Sequence, residues 1–189
     1  MNLGGFMMKK GFILCSVLTL ALVVPLSNAS AYNLLTTKWP KTVGSTYVVK
    51  VKYSTIISTD AKNAFDTAVS DWNSAQTKIS FNLSTSNSTS SNVVTTENVA
   101  DQSLFGDTLL TSSGTTISYF TAMINVGNSD VINKSNTRRS AAGHELGHAL
   151  GLDHPPAPTL SIMNSFRDRE VVYTPQLDDK DGIKAQYPL

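Results

Sequence analysis

The chain has 189 residues, of which 41% are hydrophobic and 15% charged, and its formal net charge is +1. That length supports one globular domain, or two small ones, with room for a sizeable core, and the near-neutral balance gives no reason to expect nucleic acid, whose binding needs clustered Lys and Arg. The single cysteine, Cys15, rules out an internal disulfide framework and Cys-rich zinc modules, whereas all three histidines fall between residues 144 and 154.

The first segment reads as a secretory signal peptide covering residues 1–31. Lys9 and Lys10 precede an apolar run from Gly11 to about Leu26, and Ala29-Ser30-Ala31 supplies small residues before a cut. A membrane anchor needs roughly 20 continuous apolar residues, and Ser16, Thr19 and Pro25 interrupt a run that is already short. Cleavage after Ala31 leaves one domain, residues 32–189, with 13 basic and 14 acidic residues and no cysteine. The expected product is a secreted monomer with no stable membrane anchor.

Residues 45–57 are β-branched and aromatic and predict a strand. From Thr59 the period changes: Ala61, Ala64, Phe65, Ala68, Val69 and Trp72 recur at three- and four-residue steps, which predicts a helix capped by Thr59 or Asp60. Ile79, Phe81 and Leu83 alternate within a second strand, 78–84, and 84–92 is a Ser/Thr/Asn loop. A weaker strand is expected over 93–99, a loop over 101–116 and a strong strand over 117–126.

The chemistry lies in His144-Glu145-Leu146-Gly147-His148-Ala149-Leu150-Gly151-Leu152-Asp153-His154. On a helix, residues four apart stand roughly 40° apart around the axis and one turn above each other. His144 and His148 can therefore offer two imidazole nitrogens to one zinc ion, at about 2 Å each. Glu145 points to the side of that face, where it can hold a water without being a ligand. Gly151 can end the helix in a left-handed turn, and the reversed chain can return His154 as a third ligand. Three protein ligands leave a fourth position open, as a catalytic zinc site requires. The bland alternative is a helix with surface histidines, but five fixed positions in one eleven-residue stretch argue for the metal.

These residues, followed by Ser161-Ile162-Met163, resemble the zinc motif and Met-turn of the metzincin metallopeptidases, specifically the matrixins. Trp39–Tyr53, Ala64–Phe81 and Leu177–Tyr187 are similar to that family's first strand, its first long helix with the second strand, and its last helix. The resemblance implies an α+β, two-lobed catalytic domain. A twisted, mostly parallel five-stranded sheet with two long helices forms one lobe, and a small C-terminal lobe carries the Met-turn and final helix. It implies one catalytic zinc on His144, His148 and His154, Glu145 as general base toward a zinc-activated water, and Met163 as the floor beneath the metal. Asp178 and Asp179 match paired aspartates, one bonding the Met-turn and one able to meet a new N-terminal amine. Strand 117–126 would lie along the cleft edge and hold an extended protein or peptide substrate.

The chain also departs from the family. No cysteine remains to cap the zinc, Asn164-Ser165-Phe166 replaces a tyrosine-proline pair after the methionine, and no histidines remain for a structural zinc. Ser165 stands where related families have a zinc-binding tyrosine. Asp101, Asp107 and Asp130 are the candidates for a Ca2+ site, although irregularly spaced loop aspartates are commonly just solvated. The leading function is a secreted zinc endopeptidase. The alternative is a zinc-binding adhesion or substrate-capture module without turnover, against which the intact Glu145 counts.

Overall fold

The computed structural model describes Met1, residues 31–40 and residues 44–188. The expected signal peptide lies outside the described residues apart from Met1 and Ala31. Among the described residues no helix is long and apolar enough to cross a membrane.

The chain runs β1 (Asn33–Leu34), β2 (Tyr47–Tyr53), α1 (Thr59–Ala75), β3 (Ile79–Leu83), β4 (Val93–Glu97), β5 (Gly106–Ser113), β6 (Thr116–Asn125), α2 (Ser129–Asn133), α3 (Ser135–Ala149), β7 (Leu152–Asp153) and α4 (Leu177–Gln186). Five strands form one sheet in the order β3-β2-β4-β6-β5. The pairs β2–β3, β2–β4 and β4–β6 are parallel, and only β5 runs antiparallel to its neighbour. A parallel pair needs a long crossover, which α1 supplies between β2 and β3. The α+β architecture, the mostly parallel sheet and the two long helices, α1 and α3, match the expectation from sequence.

The amphipathic stripe of α1 is buried as its spacing requires: Ala61, Phe65, Ala68 and Trp72 are at most 1% exposed and face α3 and the sheet. The cap is Ser58 rather than Thr59 or Asp60; its hydroxyl accepts from the Ala61 amide at 3.3 Å, and Asp60 lies in the first turn. A hydroxyl one residue earlier satisfies the same orphan donors, and Asp60 still favours the positive helix end.

Residues 101–116 are not the expected loop, because Gly106–Ser113 form the edge strand β5. Its residues are largely polar because an edge strand has little core to face. Consequently 117–126, which β6 covers up to Asn125, sits inside the sheet between β4 and β5, and β5 forms the edge on that side, with β3 at the other. The expectation that 117–126 forms the edge is thus overturned.

One buried amide organises the path into β5. Asn125, 1% exposed, donates from Nδ2 toward the carbonyls of Val99, Asp101 and Leu104 at 3.0, 3.2 and 3.0 Å. Its Oδ1 accepts from the amides of Val99 and Gly127 at 2.9 and 2.8 Å. Five polar groups of two loops thereby have one common partner, and deleting it strands buried donors and acceptors. Asn125→Ala is expected to lower unfolding free energy by roughly 2–4 kcal/mol, with residues 98–105 first to lose amide-exchange protection. Unchanged stability and protection would show that these bonds are replaceable by water.

Candidate metal centre

Helix α3 is made of small residues because it passes through the middle of the molecule. Ser140 to Gly147 are all buried, against α1, β5, β6 and the turn at Ser161–Met163. Trp72 Nε1 of α1 donates to the Gly143 carbonyl at 2.8 Å. A Cβ on Gly147 would collide with the Met163 sulfur and lie 3.1 Å from Trp72 Cζ2. The helix tolerates that glycine, which costs about 1 kcal/mol relative to alanine, because the space is taken by the methionine. The helix N-terminus has no side-chain cap of its own; instead Glu170 accepts from the Thr137 amide and hydroxyl at 2.8 and 2.6 Å.

Gly151, at φ +88°, ends the helix in the left-handed region, as the sequence predicted. The chain then reverses into β7, which pairs antiparallel with β1, Asn33 opposite Asp153 and Leu34 opposite Leu152. Asn33 Nδ2 donates to the His154 carbonyl at 2.8 Å. The third histidine is thus positioned by the N-terminal segment as well as by the reversal.

The three rings converge. His144 Nε2 and His148 Nε2 lie 3.0 and 3.1 Å from His154 Nε2. Among the described residues these histidines are the one group of three or more His, Cys, Asp or Glu gathered closely enough to hold a metal ion. His144 Nδ1 meets the Ile162 carbonyl at 2.8 Å and His148 Nδ1 meets that of Leu152 at 2.9 Å. A carbonyl can only accept, so each Nδ1 carries the proton and each Nε2 turns a lone pair inward. Lone pairs aimed at one point repel unless a cation lies between them, and tetrahedral zinc with bonds of about 2.1 Å sets nitrogens roughly 3.4 Å apart. The donor set therefore fits zinc. Burial lowers the pKa of all three rings, most strongly for His144, which keeps them neutral and able to ligate. Exposure rises from buried His144 to exposed His154, so the centre is open on one side.

Glu145 is 4% exposed, and its Oε2 accepts from Thr108 Oγ1 of β5 at 2.8 Å. Burial pushes its carboxyl up to about 8, against the lowering effect of the Thr108 bond. Gly106 of β5 leaves room for this carboxylate, since a Cβ there would lie 2.8 Å from Glu145 Oε1. Neither Gly106 nor Thr108 was singled out in the sequence, because the strand carrying them read as loop.

The Met-turn is tied to α4. The Asp179 carboxylate accepts from the Ser161 hydroxyl, from the amides of Ile162 and Met163 at 2.8 and 3.3 Å, and from the Gln176 amide at 2.7 Å. Met163 is 2% exposed, packed under α3. Asp178 Oδ1 accepts from the amides of Ala31 and Tyr32 at 2.9 and 3.1 Å. Asp179 thus bonds the Met-turn, the part the resemblance gives to one of the pair, while Asp178 holds the chain at Ala31 and Tyr32.

Arg167 was not anticipated. It is 8% exposed and donates to the Ser140 hydroxyl and carbonyl and the Asn164 carbonyl, each at 3.0 Å, with Nη1 3.1 Å from His144 Nδ1. Burial draws its pKa down to about 9. It joins the segment after the Met-turn to the zinc-motif helix. Ser165 is half-buried and Phe166 exposed. The calcium candidates do not form a group among the described residues: Asp101 accepts from the Ser103 amide and hydroxyl, and Asp130 pairs with Lys134 at 2.9 Å.

A search of curated protein sequences gives no match. Among solved structures the chain is similar to high choriolytic enzyme 1, a hatching enzyme zinc-protease from the medaka fish Oryzias latipes. Identity is 14% and the TM-score 0.53, over 82% of this chain and 98% of that one. It is also similar to myroilysin, at 17% identity and a TM-score of 0.54, over 84% of this chain and 98% of that one. At such identities the likeness is one of fold. The matrixin family model matches residues 38–188 and so takes in the sheet, both long helices and the three-histidine cluster. The chain belongs to the matrixin family, and is a zinc metalloendopeptidase with a catalytic zinc ion as its cofactor.

Proposed function

We propose that the protein is a secreted endopeptidase in which His144, His148 and His154 hold the zinc and Glu145 is the general base. The observation that carries this reading is the buried Glu145 carboxylate, one residue from a converging imidazole and fixed by a hydroxyl of the edge strand.

Zinc supplies the Lewis acidity that polarises a peptide carbonyl and makes a water acidic near neutral pH. The chain's own residues do the rest. The three imidazoles, each neutral, leave one side of the centre open to substrate. With Oε2 held by Thr108, Glu145 takes the proton of the attacking water at Oε1 and delivers it to the leaving amine nitrogen, a task that requires a carboxylate fixed within hydrogen-bond reach. The free edge of β5, which begins beside Glu145 at Gly106, offers unpaired backbone groups to an extended peptide. Such docking reads main chain more than side chains.

Secretion is supported by the basic, apolar and small-residue sequence of residues 1–31 and by the contacts at its boundary. Cleavage after Ala31 would put a Tyr32 ammonium beside Asp178, whose Oδ2 is buried with no hydrogen-bond partner among the described residues. A charged amine satisfies such an oxygen better than a neutral amide.

Chelation with phenanthroline is expected to abolish cleavage of casein or a peptide library, and zinc to restore it; activity indifferent to chelator contradicts the metal assignment. Glu145→Ala should retain one zinc per chain and native circular dichroism while kcat/KM falls by roughly 10²–10⁴; cleavage at the wild-type rate would sink the general-base role. Thr108→Val should also keep zinc but lose roughly tenfold in kcat, through a carboxylate free to rotate. Wild-type kcat in that variant would show that the hydroxyl does not position Glu145.

A further inference from the structure

The sheet contains a slot remote in sequence from the zinc motif. Strand β2 pairs with β4 only at Lys52–Val93 and Tyr53–Val94, and β4 meets β6 only from Thr121 onward. The N-terminal halves of β2 and β6 therefore stand apart. The opening, about 440 Å³, is lined by Trp39, Tyr47, Lys50, Thr89 and Ser118 together with Asn and Ser side chains of the 84–92 loop.

The loop closes the slot to another strand. Asn87 Nδ2 donates to the Val51 carbonyl at 3.1 Å, and Ser90 Oγ and Asn92 Nδ2 donate to the Lys50 carbonyl at 2.7 and 2.8 Å. Asn92 Oδ1 accepts from the Phe120 amide at 3.2 Å. Two carbonyls of β2 and one amide of β6 that an inserted peptide would need are thus already paired, which disfavours β-augmentation here.

What remains open is a different chemistry. The Tyr47 and Ser118 hydroxyls, the Thr89 hydroxyl and the Lys50 ammonium line the slot without a protein hydrogen-bond partner among the described residues. Tyr47 is half-buried and stacks on Trp39, with ring centroids 5.8 Å apart and planes 24° from parallel. An apolar ligand would strand these hydroxyls away from water. One lysine is too little charge to favour an anion, and no carboxylate lines the slot to favour a cation. A neutral sugar suits this lining: its hydroxyls donate to and accept from Ser, Thr, Tyr and Asn, and its C–H groups pack against the half-buried Tyr47 ring.

We infer that this slot binds a neutral oligosaccharide, independently of the zinc centre and of peptide cleavage. Such a site would tether the protein to a glycan while its peptidase centre stays free.

The test is amide NMR of the zinc-loaded protein titrated to millimolar concentration with chitotetraose, cellotetraose and maltotetraose. At least one is expected to give saturable shifts at residues 47–50, 86–92 and 118, with the zinc-motif amides unmoved. The triple variant Y47F/T89A/S118A, which keeps the Tyr47–Trp39 stack, should weaken that binding roughly tenfold or more, with peptide cleavage unchanged. No shifts with any of the three sugars, shifts confined to the zinc centre, or undiminished binding in the triple variant would each overturn the proposal. Competition by an unglycosylated Ser/Thr peptide at equal concentration would do the same, by making the site a peptide groove.

Discussion

The distance at which α3 passes the Met-turn governs the rest of the site. The His144 ring can reach the Ile162 carbonyl only because Gly143 and Gly147 carry no side chains toward Ile162 and Met163. That bond fixes the tautomer, and the tautomer turns Nε2 to the common point. An ordinary amphipathic helix with Leu or Val at those positions would stand farther off and lose the carbonyl. The helix therefore gives up intrinsic propensity for close approach, and burial on every side compensates.

Other parts of the fold serve that approach. Asp179 takes hydrogen bonds from three consecutive residues of the Met-turn and one from the start of α4, so the turn is held by the last helix. Glu170 and Arg167 tie the intervening segment to the start and middle of α3. From the opposite end of the chain, β1 pairs with β7 and the Leu35 amide donates to the Gly151 carbonyl, so the reversal and the two residues after it are held. One aspartate, one arginine and one glutamate from the C-terminal part of the chain thus hold the Met-turn and α3 against each other.

How much of this could be read in the sequence follows from the range of each interaction. The metal ligands and the break after them are encoded within eleven residues, and so were legible. Periodicity revealed α1, β3 and β6, because each presents one apolar face to a core. Strand β5 has no such face; Gly-Asp-Thr-Leu-Leu-Thr-Ser-Ser reads as loop until β6 pairs with it. Thr108 and Arg167 escaped for a related reason, since their partners lie 37 and 23–27 residues away and neither belongs to a local pattern. Mistaking β6 for the edge was the consequence of missing β5, because an absent neighbour leaves the wrong strand exposed.

The central claim is a centre of three neutral imidazoles with one position left to solvent. Zinc K-edge X-ray absorption on the zinc-loaded protein addresses it most directly. The account predicts three imidazole nitrogens at about 2.0–2.1 Å and one oxygen from solvent, four ligands in all. A shell with fewer than three imidazoles, or with a protein carboxylate filling the fourth position, would contradict it.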